Sequence, residues 1–231
     1  MPGMNATLKP EFRPIRSFVL RQGRLTNAQE RILRERGSFY ILDAQAPWHS
    51  PWACSQPLML EIGFGNGEHL ARFAEKHQDW GCIGAEVHSP GVGSLLLRAE
   101  AAELQNLRVV HEDVAPWLRS LPDSVFSLVV VQFPDPWPKK RHHKRRIIQP
   151  DFLELLHRVM QPGGELQLAT DWQPYAEQML TLLESAPGWE NLAGLGNYAE
   201  APENRIQTRF ERRGTALGHA VFDLRFACHK K

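Results

Sequence analysis

Short apolar runs alternate with stretches of helical periodicity along most of the chain, from residue 58 onward. Apolar runs of about four to eight residues are typical of strands, whereas apolar residues that recur every three or four positions indicate helices. The pattern predicts strands at residues 58–62, 80–85, 107–110, 125–133, 165–170 and 220–226. It predicts helices directly after a glycine cluster at residues 63–67 and at residues 92–104, 151–160 and 173–185.

The order of these elements predicts an α/β fold. Strands that alternate with helices form a mainly parallel sheet with helices on both faces. In such sheets, ligands bind in the crevice at the carboxyl ends of the strands. An acid lies at or just beyond the end of each of the first five predicted strands, at Glu61, Glu86, Asp113, Asp135 and Asp171. We therefore expect this rim of the sheet to carry the functional site.

Residues 1–56 lack clear periodicity and carry an excess of positive charge, with eight cations against four acids. We predict two parts in the chain: a basic, partly flexible N-terminal arm at residues 1–56 and a single α/β domain at residues 57–231. The arm is open to two interpretations, a solvated tail or a segment that joins other cations against phosphates. Charge alone does not separate the two.

Positive charge is also concentrated at a second place, although the whole chain has a formal net charge of only +1. Directly after Pro134-Asp135-Pro136-Trp137-Pro138, six of eight residues are lysine or arginine and none is acidic. A dense cationic loop beside a strand-end carboxylate indicates chemistry on a polyanion, and nucleic acid is the obvious candidate. Trp137 could either stack on a base or pack within the protein. His142 and His143 show no metal-ligand spacing, and we predict no metal site.

Composition excludes several other classes of protein. Apolar residues make up 42% and charged residues 23% of the 231 residues, so a folded domain with a sizeable core is expected. No apolar run approaches the roughly 20 residues of a membrane span, and the first ten residues lack the apolar core of a signal peptide. The three cysteines form no paired motif, which favours a reducing compartment. We predict a cytoplasmic protein with no membrane partner, as a monomer or a homodimer.

The glycine turn after the first strand predicts a nucleotide-like pocket. Gly63 and Gly65 let the backbone approach a ligand, and the helix that follows directs its positive end towards it. Dinucleotide enzymes prefer G-x-G-x-x-G, whereas the spacing here is G-x-G-x-G. Glu61 would repel a pyrophosphate and suits the cationic end of S-adenosylmethionine, while the acids after the next two strands could take the ribose hydroxyls and the adenine amino group. We therefore favour S-adenosylmethionine over a dinucleotide or a plain tight turn.

These residues resemble the bacterial tRNA (guanine-N7-)-methyltransferase family, whose members are class I methyltransferases. The glycine motif LEIGFGNG is shared by many methyltransferases, but the block PDPWPKKRHHKRR is very specific. The other matching stretches are RQGRLT, EVHSPGVG, TDWQPYAEQML and TRFERRGTALGHAVFDL, and together the matches extend from residue 21 to residue 224. The resemblance implies a Rossmann-like fold with a mainly parallel seven-stranded sheet. It also implies methyl transfer from S-adenosylmethionine to N7 of guanosine 46 in the tRNA variable loop.

The resemblance further implies roles for individual residues. The cofactor site would be lined by Glu61, Glu86, Asp113 and Asp135, the last of which would also be the catalytic acid. The substrate guanosine would be held by Lys139, Asp171, Thr208, Arg209, Phe210 and Glu211. The tRNA would be contacted by Arg141, His142, His143, Lys144, Arg145 and Arg146. The family often has lysine at position 209, so the planar guanidinium there could change substrate contacts in detail.

Three rival interpretations fit the residues less well. A nicotinamide-dependent oxidoreductase would be expected to show the longer glycine spacing and no acid at position 61. A non-catalytic RNA-binding protein on a decayed methyltransferase fold would have lost the cofactor acids, and all of them are present. A localisation signal would need neither the attachment of the basic stretch to Asp135 nor the matching C-terminal block. The sequence therefore favours methyl transfer to RNA.

Overall fold

The structure is a computed structural model, and it describes residues 17–18, 23–52, 55–202, 205 and 220–230. Within these residues the chain forms a seven-stranded sheet, six α-helices and one 3₁₀ helix. The strands are β1 (Leu58–Ile62), β2 (Gly81–Ala85), β3 (Leu107–Val110), β4 (Phe126–Gln132), β5 (Met160–Thr170), β6 (Trp189–Asn191) and β7 (Phe222–Cys228). The helices are α1 (Asn27–Tyr40), α2 (Glu68–Lys76), α3 (Ser89–Ala101), α4 (Val114–Ser120), α5 (Pro150–Val159), α6 (Gln173–Ser185) and the 3₁₀ helix Lys140–Arg145.

The sheet is mainly parallel, which confirms the predicted architecture. Its strand order is β3-β2-β1-β4-β5-β7-β6. Strands β1 to β5 pair in parallel, whereas β7 is antiparallel to both of its neighbours, β5 and β6. The order reverses between β1 and β4, and such a switch point opens a crevice at the carboxyl ends of the strands. Ile62 pairs with Ala85 of β2 and with Val131 of β4, so these three strands end at the same level. The crevice therefore lies directly beyond them.

The core lies in two layers, one on each face of the sheet. Helices α1, α2 and α3 cover one face, and helices α4, α5 and α6 cover the other. Successive side chains of a strand point to opposite faces, so Leu60 and Ile62 pack in the α4–α6 layer and Met59 packs in the α1–α3 layer. By the same alternation Glu61 faces the α1–α3 layer, a position that matters for the site below.

Helix α1 lies in the part of the chain for which the sequence showed no clear periodicity. It begins with a capping box, in which the Thr26 hydroxyl accepts from the Gln29 backbone N–H and the Gln29 side chain accepts from the Thr26 backbone N–H. Ile32 and Tyr40 are fully buried, and the helix packs against α3. Most of the remaining predicted flexible arm, at residues 1–16 and 19–22, lies outside the described residues.

The chain that follows α1 covers the outer edge of β3. Ile41 forms a parallel bridge with Val109, and the Leu42 N–H donates to the Val109 carbonyl at 2.8 Å. The strand at the opposite end of the sheet, β6, is three residues long. One edge of the sheet is therefore covered and the other is short.

The remaining predicted elements are confirmed with small shifts in their bounds. Strands β1 and β3 and helix α6 have the predicted limits, whereas α3 begins three residues earlier and β5 five residues earlier than predicted. Helix α4 and strand β6 were not predicted, because elements of seven and three residues are too short to show a clear period. None of the described helices combines the length and the apolar character needed to cross a membrane.

Candidate active site

A cavity of about 230 Å³ opens at the switch point of the sheet. Its walls come from the carboxyl ends of β1, β2 and β4 and from the segment that follows β3. Three of the predicted cofactor acids, Glu86, Asp113 and Asp135, line it together with Gly63. The structure therefore brings residues from four strand ends into one concave site.

The turn after β1 requires glycine at Gly63 and Gly65, whose φ angles are 71° and 58°. Other residues rarely adopt these left-handed values. A Cβ placed on either glycine meets no atom within 4 Å, so there is open space beside the backbone of the turn. Helix α3 approaches the turn closely, since a Cβ on Gly91 would lie 2.2 Å from the Gly65 carbonyl oxygen. The turn is thus in tight contact with α3 and still leaves room for a ligand.

The Glu86 carboxylate orders the backbone around the glycine turn. Its Oε2 accepts a hydrogen bond from the Gly65 N–H at 3.0 Å. Its Oε1 accepts from the N–H groups of Val87 and His88 at 2.8 and 3.0 Å. An ionised carboxylate offers about four acceptor positions, so Glu86 is fixed in orientation and keeps acceptor capacity for a ligand in the cavity.

Asp113 follows β3 and is the N-cap of α4. Its Oδ1 accepts from the Ala115 N–H at 3.2 Å, which satisfies one of the free donors of the first helical turn. The neighbouring Glu112 is exposed, lines the same cavity and accepts from the Gln45 side-chain amide at 3.2 Å. Glu112 was not among the predicted site residues, although two successive acids after a strand were the available signal.

Glu61 differs from the other predicted cofactor acids. It is 3% exposed and is not among the residues that line the cavity. Its Oε2 lies 2.8 Å from Nδ1 of His69, a buried residue of α2. Because side chains alternate along β1, the side chain at position 61 points into the α1–α3 layer. The structure therefore pairs Glu61 with α2, instead of placing it on the cavity wall as expected.

Asp135 is exposed and lies on the loop that follows β4, residues 133–138, called here the Asp135 loop. Three of these residues are prolines, which have no N–H to donate. Phe133 and Trp137 have φ angles of 50° and 43°, in the left-handed region. Such backbone costs about 1–3 kcal/mol per residue and persists only where surrounding contacts hold it. The loop that presents Asp135 to the cavity is therefore strained and depends on anchors from elsewhere.

Trp137 provides one of these anchors. Its indole N–H donates to the Ser17 carbonyl at 3.2 Å. The Arg145 guanidinium lies 4.0 Å from the centre of its ring, and the His142 ring meets it edge-on with 5.9 Å between the ring centres. The structure therefore favours packing over base stacking for Trp137, the alternative that the sequence left open.

The basic segment, residues 139–146, follows the Asp135 loop directly and contains the 3₁₀ helix. Four of its cations are exposed: Lys139, Lys140, Arg141 and Lys144. The half-exposed members are His142, His143 and Arg145. Partial burial, followed by the positive charges of Arg141 and Arg145, lowers the pKa of His142 below its ordinary value. Within the described residues, no group of three or more histidine, cysteine or acidic side chains is placed to hold a metal ion.

Arg146 is 2% exposed, although it was predicted to contact RNA. Its Nε donates to the Pro136 carbonyl at 2.8 Å, and its Nη1 donates to Oε1 of Gln178. The guanidinium lies 4.7 Å from the centre of the Tyr175 ring. The structure therefore places Arg146 inside the protein, between the Asp135 loop and α6, and not on the surface of the exposed cations.

Asp171 is exposed and follows β5. The Phe133 N–H donates to the Ala169 carbonyl at 2.8 Å, so the chain leaves β4 and β5 at neighbouring points. Asp135 and Asp171 thus lie on adjacent strand ends. The other predicted guanosine contacts, apart from Lys139, lie outside the described residues: Thr208, Arg209, Phe210 and Glu211.

A second concavity of about 170 Å³ adjoins the cavity at the switch point, and the two share Ser17, Asp113, Val114 and Ile147. Its lining includes Lys144, Arg145 and Arg146 of the basic segment and also Arg119 at the C-terminal end of α4. Sequence reasoning missed Arg119, because a lone arginine in an unpredicted helix gave no signal. The cationic surface therefore extends from the 3₁₀ helix onto α4.

The chain matches known proteins over nearly its whole length. A family model described as a putative methyltransferase matches residues 55–224. A tRNA (guanine-N(7)-)-methyltransferase of Acidithiobacillus ferrooxidans is 57% identical over 228 residues, which cover 99% of each chain. A protein of the same name from Pseudomonas putida (strain KT2440) is 47% identical over 93% of this chain and 91% of the relative.

Solved structures share the fold at lower sequence identity. The 16S rRNA methyltransferase KamB has a TM-score of 0.56 and 17% identity, and the match covers 90% of this chain and 96% of that one. A 16S rRNA (adenine(1408)-N(1))-methyltransferase mutant from Catenulisporales acidiphilia, solved with the cosubstrate S-adenosylmethionine, has a TM-score of 0.51 and 19% identity. That match covers 76% of this chain and 87% of the other. At these identities the likeness establishes a class I methyltransferase fold.

Proposed function

The chain belongs to the tRNA (guanine-N(7)-)-methyltransferase family, and on that premise we propose that it transfers a methyl group from S-adenosylmethionine to N7 of guanosine 46 in the tRNA variable loop. The strongest support is the position of the acid-lined cavity, which opens beside the Asp135 loop. The cations of the basic segment begin at Lys139, four residues after Asp135. A cationic cofactor and a polyanionic substrate can therefore meet at one loop. A tRNA substrate would also agree with the cytoplasmic location expected from composition.

The cavity fits the cofactor that the family implies. Its acidic lining, with Glu86, Asp113 and Asp135, favours a ligand that carries ammonium and sulfonium charges over an anionic dinucleotide. Glu86 would hold the ribose hydroxyls, and Asp113 would accept from the adenine amino group. The open space beside Gly63 and Gly65 leaves room for the ligand. Bound S-adenosylmethionine supplies a methyl group that its sulfonium has already activated.

The proposed reaction asks the protein for orientation more than for proton transfer. Guanine N7 is an acceptor with a free lone pair and no proton, so methylation there needs no general base. Holding two reacting groups in line can lower a barrier by roughly 7–11 kcal/mol. Asp135 and Asp171, on adjacent strand ends, would accept from the N1–H and the exocyclic amine of guanine, and Lys139 and residues 208–211 would complete the guanosine site. Adenine presents an acceptor at N1 and would be rejected.

The exposed cations of the 3₁₀ helix would bind the RNA backbone. In A-form RNA the edge that carries N7 lies in a deep and narrow groove, so the target base has to come from an irregular region or leave its stack. A variable loop meets this requirement. Recognition would then depend on phosphates and shape, and the affinity for tRNA should fall steeply with salt because Arg141, Lys144 and their neighbours displace counterions.

Identification of the product nucleoside tests the proposal. The purified protein is incubated with an unmodified tRNA transcript and S-adenosylmethionine labelled in its methyl group, and the RNA is digested to nucleosides. We expect the label in 7-methylguanosine, and none in a matched transcript with adenosine in place of guanosine 46. Label in another nucleoside, or equal labelling of both transcripts, contradicts the proposal. A rise in Tm with a nicotinamide cofactor but not with S-adenosylmethionine would favour an oxidoreductase instead.

A further inference from the structure

Arg146 differs in its surroundings from every exposed cation beside it. We propose that Arg146 is a positioning residue, which fixes the Asp135 loop relative to α6 and does not contact RNA. The inference rests on the proposed function, because it concerns the two carboxylates that would hold the guanine. The inference gives Arg146 a role different from the RNA binding that is expected of the other cations in the basic segment.

The contacts of Arg146 engage each part of its guanidinium. Nε donates to the carbonyl of Pro136, the residue next to Asp135, at 2.8 Å, and Nη1 donates to the Gln178 side chain. Nη2 lies 3.3 Å from Nε2 of His143, and the planar group lies over the Tyr175 ring. The planar guanidinium directs its donors to the loop and to the helix in a fixed geometry, which the flexible ammonium group of lysine would not reproduce. These contacts leave 2% of the residue accessible, so protein partners occupy its guanidinium although the residue borders the second concavity.

The Asp135 loop needs an anchor of this kind. Phe133 and Trp137 both hold left-handed backbone, and the prolines between them cannot donate hydrogen bonds. Beyond the Phe133 N–H, which donates to the Ala169 carbonyl, the loop can therefore be held mainly through its carbonyls and the Trp137 side chain. Arg146 binds a carbonyl of the loop, and Arg145 covers the ring of Trp137. Two successive arginines thus hold the loop from different sides.

Helix α6 connects Arg146 to the second carboxylate. Asp171 lies two residues before Gln173, where α6 begins, and Gln178 lies in the second turn of that helix. Tyr175, in the first turn, is fully buried, and its hydroxyl accepts from the Ile148 N–H at 3.1 Å. The start of α6 is therefore firmly packed. A guanidinium that joins Pro136 to Gln178 sets the distance between the Asp135 loop and the element that carries Asp171.

Two identical substitutions in the same segment test the inference, Arg146→Gln and the control Arg141→Gln. Each removes one positive charge, at a buried and at an exposed position respectively. For Arg146→Gln we expect hydrogen exchange at the Phe133 amide and the Trp137 indole N–H, which donate to the Ala169 and Ser17 carbonyls, to rise about tenfold or more. We expect kcat to fall about tenfold, the loss typical of one hydrogen bond to a charged group. The salt dependence of tRNA binding should keep its slope. For Arg141→Gln the slope should fall by about one, with unchanged exchange in the loop.

The opposite pattern overturns the inference: a salt slope reduced in Arg146→Gln as much as in Arg141→Gln, with unchanged exchange at the Phe133 amide and the Trp137 indole N–H. Gln178→Leu removes only the acceptor on α6 and covers the outcome in which Arg146→Gln does not fold. It should also raise exchange in the loop, by a smaller factor, and unchanged exchange would again contradict the role. Exchange is measured on the protein without substrate, so failure of the proposed methylation would not be mistaken for failure of this inference.

Discussion

Replacing Glu86 by glutamine removes one negative charge from the cavity and turns one acceptor oxygen into an NH₂ group. In the protein this carboxylate accepts three backbone hydrogen bonds, from Gly65, Val87 and His88. The amide oxygen of glutamine can keep the bonds to Val87 and His88, but its NH₂ group then faces the Gly65 N–H, and two donors cannot bond. We therefore predict a folded variant with a loosened glycine turn and weaker binding of S-adenosylmethionine.

The magnitude follows from the number and type of these bonds. A hydrogen bond to a charged group contributes about 1.5–3 kcal/mol and a neutral one about 0.5–1.5 kcal/mol. One charged bond is lost and two become neutral, which together give a loss of roughly 3.5–6 kcal/mol before water is considered. Glu86 is half-exposed and water replaces part of the loss, so we expect the free energy of unfolding to fall by about 2 kcal/mol and Tm by about 4–8 °C. The affinity for S-adenosylmethionine should fall at least about tenfold.

Thermal unfolding and calorimetric titration with S-adenosylmethionine measure the two effects. Glu112→Gln is the matched control, because it makes the same charge change at an exposed position on the same cavity, where the carboxylate binds the Gln45 side chain instead of the backbone. The control should keep its Tm and lose little affinity. If the Glu86 variant behaves like the Glu112 variant in both measurements, the hydrogen bonds to the turn do not order the site and the reasoning is refuted.

Three further outcomes are expected. Gly91→Ala brings a Cβ to 2.2 Å from the Gly65 carbonyl oxygen and should lower the free energy of unfolding, measured with denaturant, by about 1–3 kcal/mol. It should also weaken binding of S-adenosylmethionine, and unchanged values of both would show that α3 can move away freely. Arg119→Ala should lower the salt slope of tRNA binding by about one if the second concavity lies under the RNA backbone, and an unchanged slope would exclude it from the interface. Because the pKa of His142 is lowered below its ordinary value, its imidazole is neutral at pH 7.5, and His142→Gln should not change tRNA affinity there; a loss of affinity at pH 7.5 would contradict this protonation state.

The parallel sheet could be predicted from the sequence because its strands are buried on both faces. The runs at Leu58–Ile62 and Leu107–Val110 are apolar at nearly every position and end at polar or glycine residues, so period and bounds were both visible. Helix α1 was missed because few of its residues are buried, and Ile32 and Tyr40 are too far apart to show a stripe. Its capping box at Thr26 and Gln29 was the signal in the sequence that could have located it.

The site could be predicted as a set of strand-end acids but not as a set of contacts. Glu61 and Glu86 look equivalent in the sequence, and they differ because one side chain points towards His69 of α2 while the other turns back to the glycine turn. Arg141 and Arg146 look equivalent as well. Arg146 is buried, and two of its contacts come from Tyr175 and Gln178, about thirty residues further along the chain. Such differences depend on tertiary packing, which charge and spacing do not encode.

The bridge between Ile41 and Val109 bears on the boundary that periodicity and charge predicted at residue 57. An uncovered edge strand offers a row of free N–H and C=O groups to which another chain can add. The residues after α1 occupy that row on β3, and the helix itself buries the apolar surface of α3. A fragment trimmed to begin at residue 57 would lose both protections at once and would be open to self-association by strand pairing. We therefore expect the basic N-terminal region to protect the sheet edge from pairing with another chain.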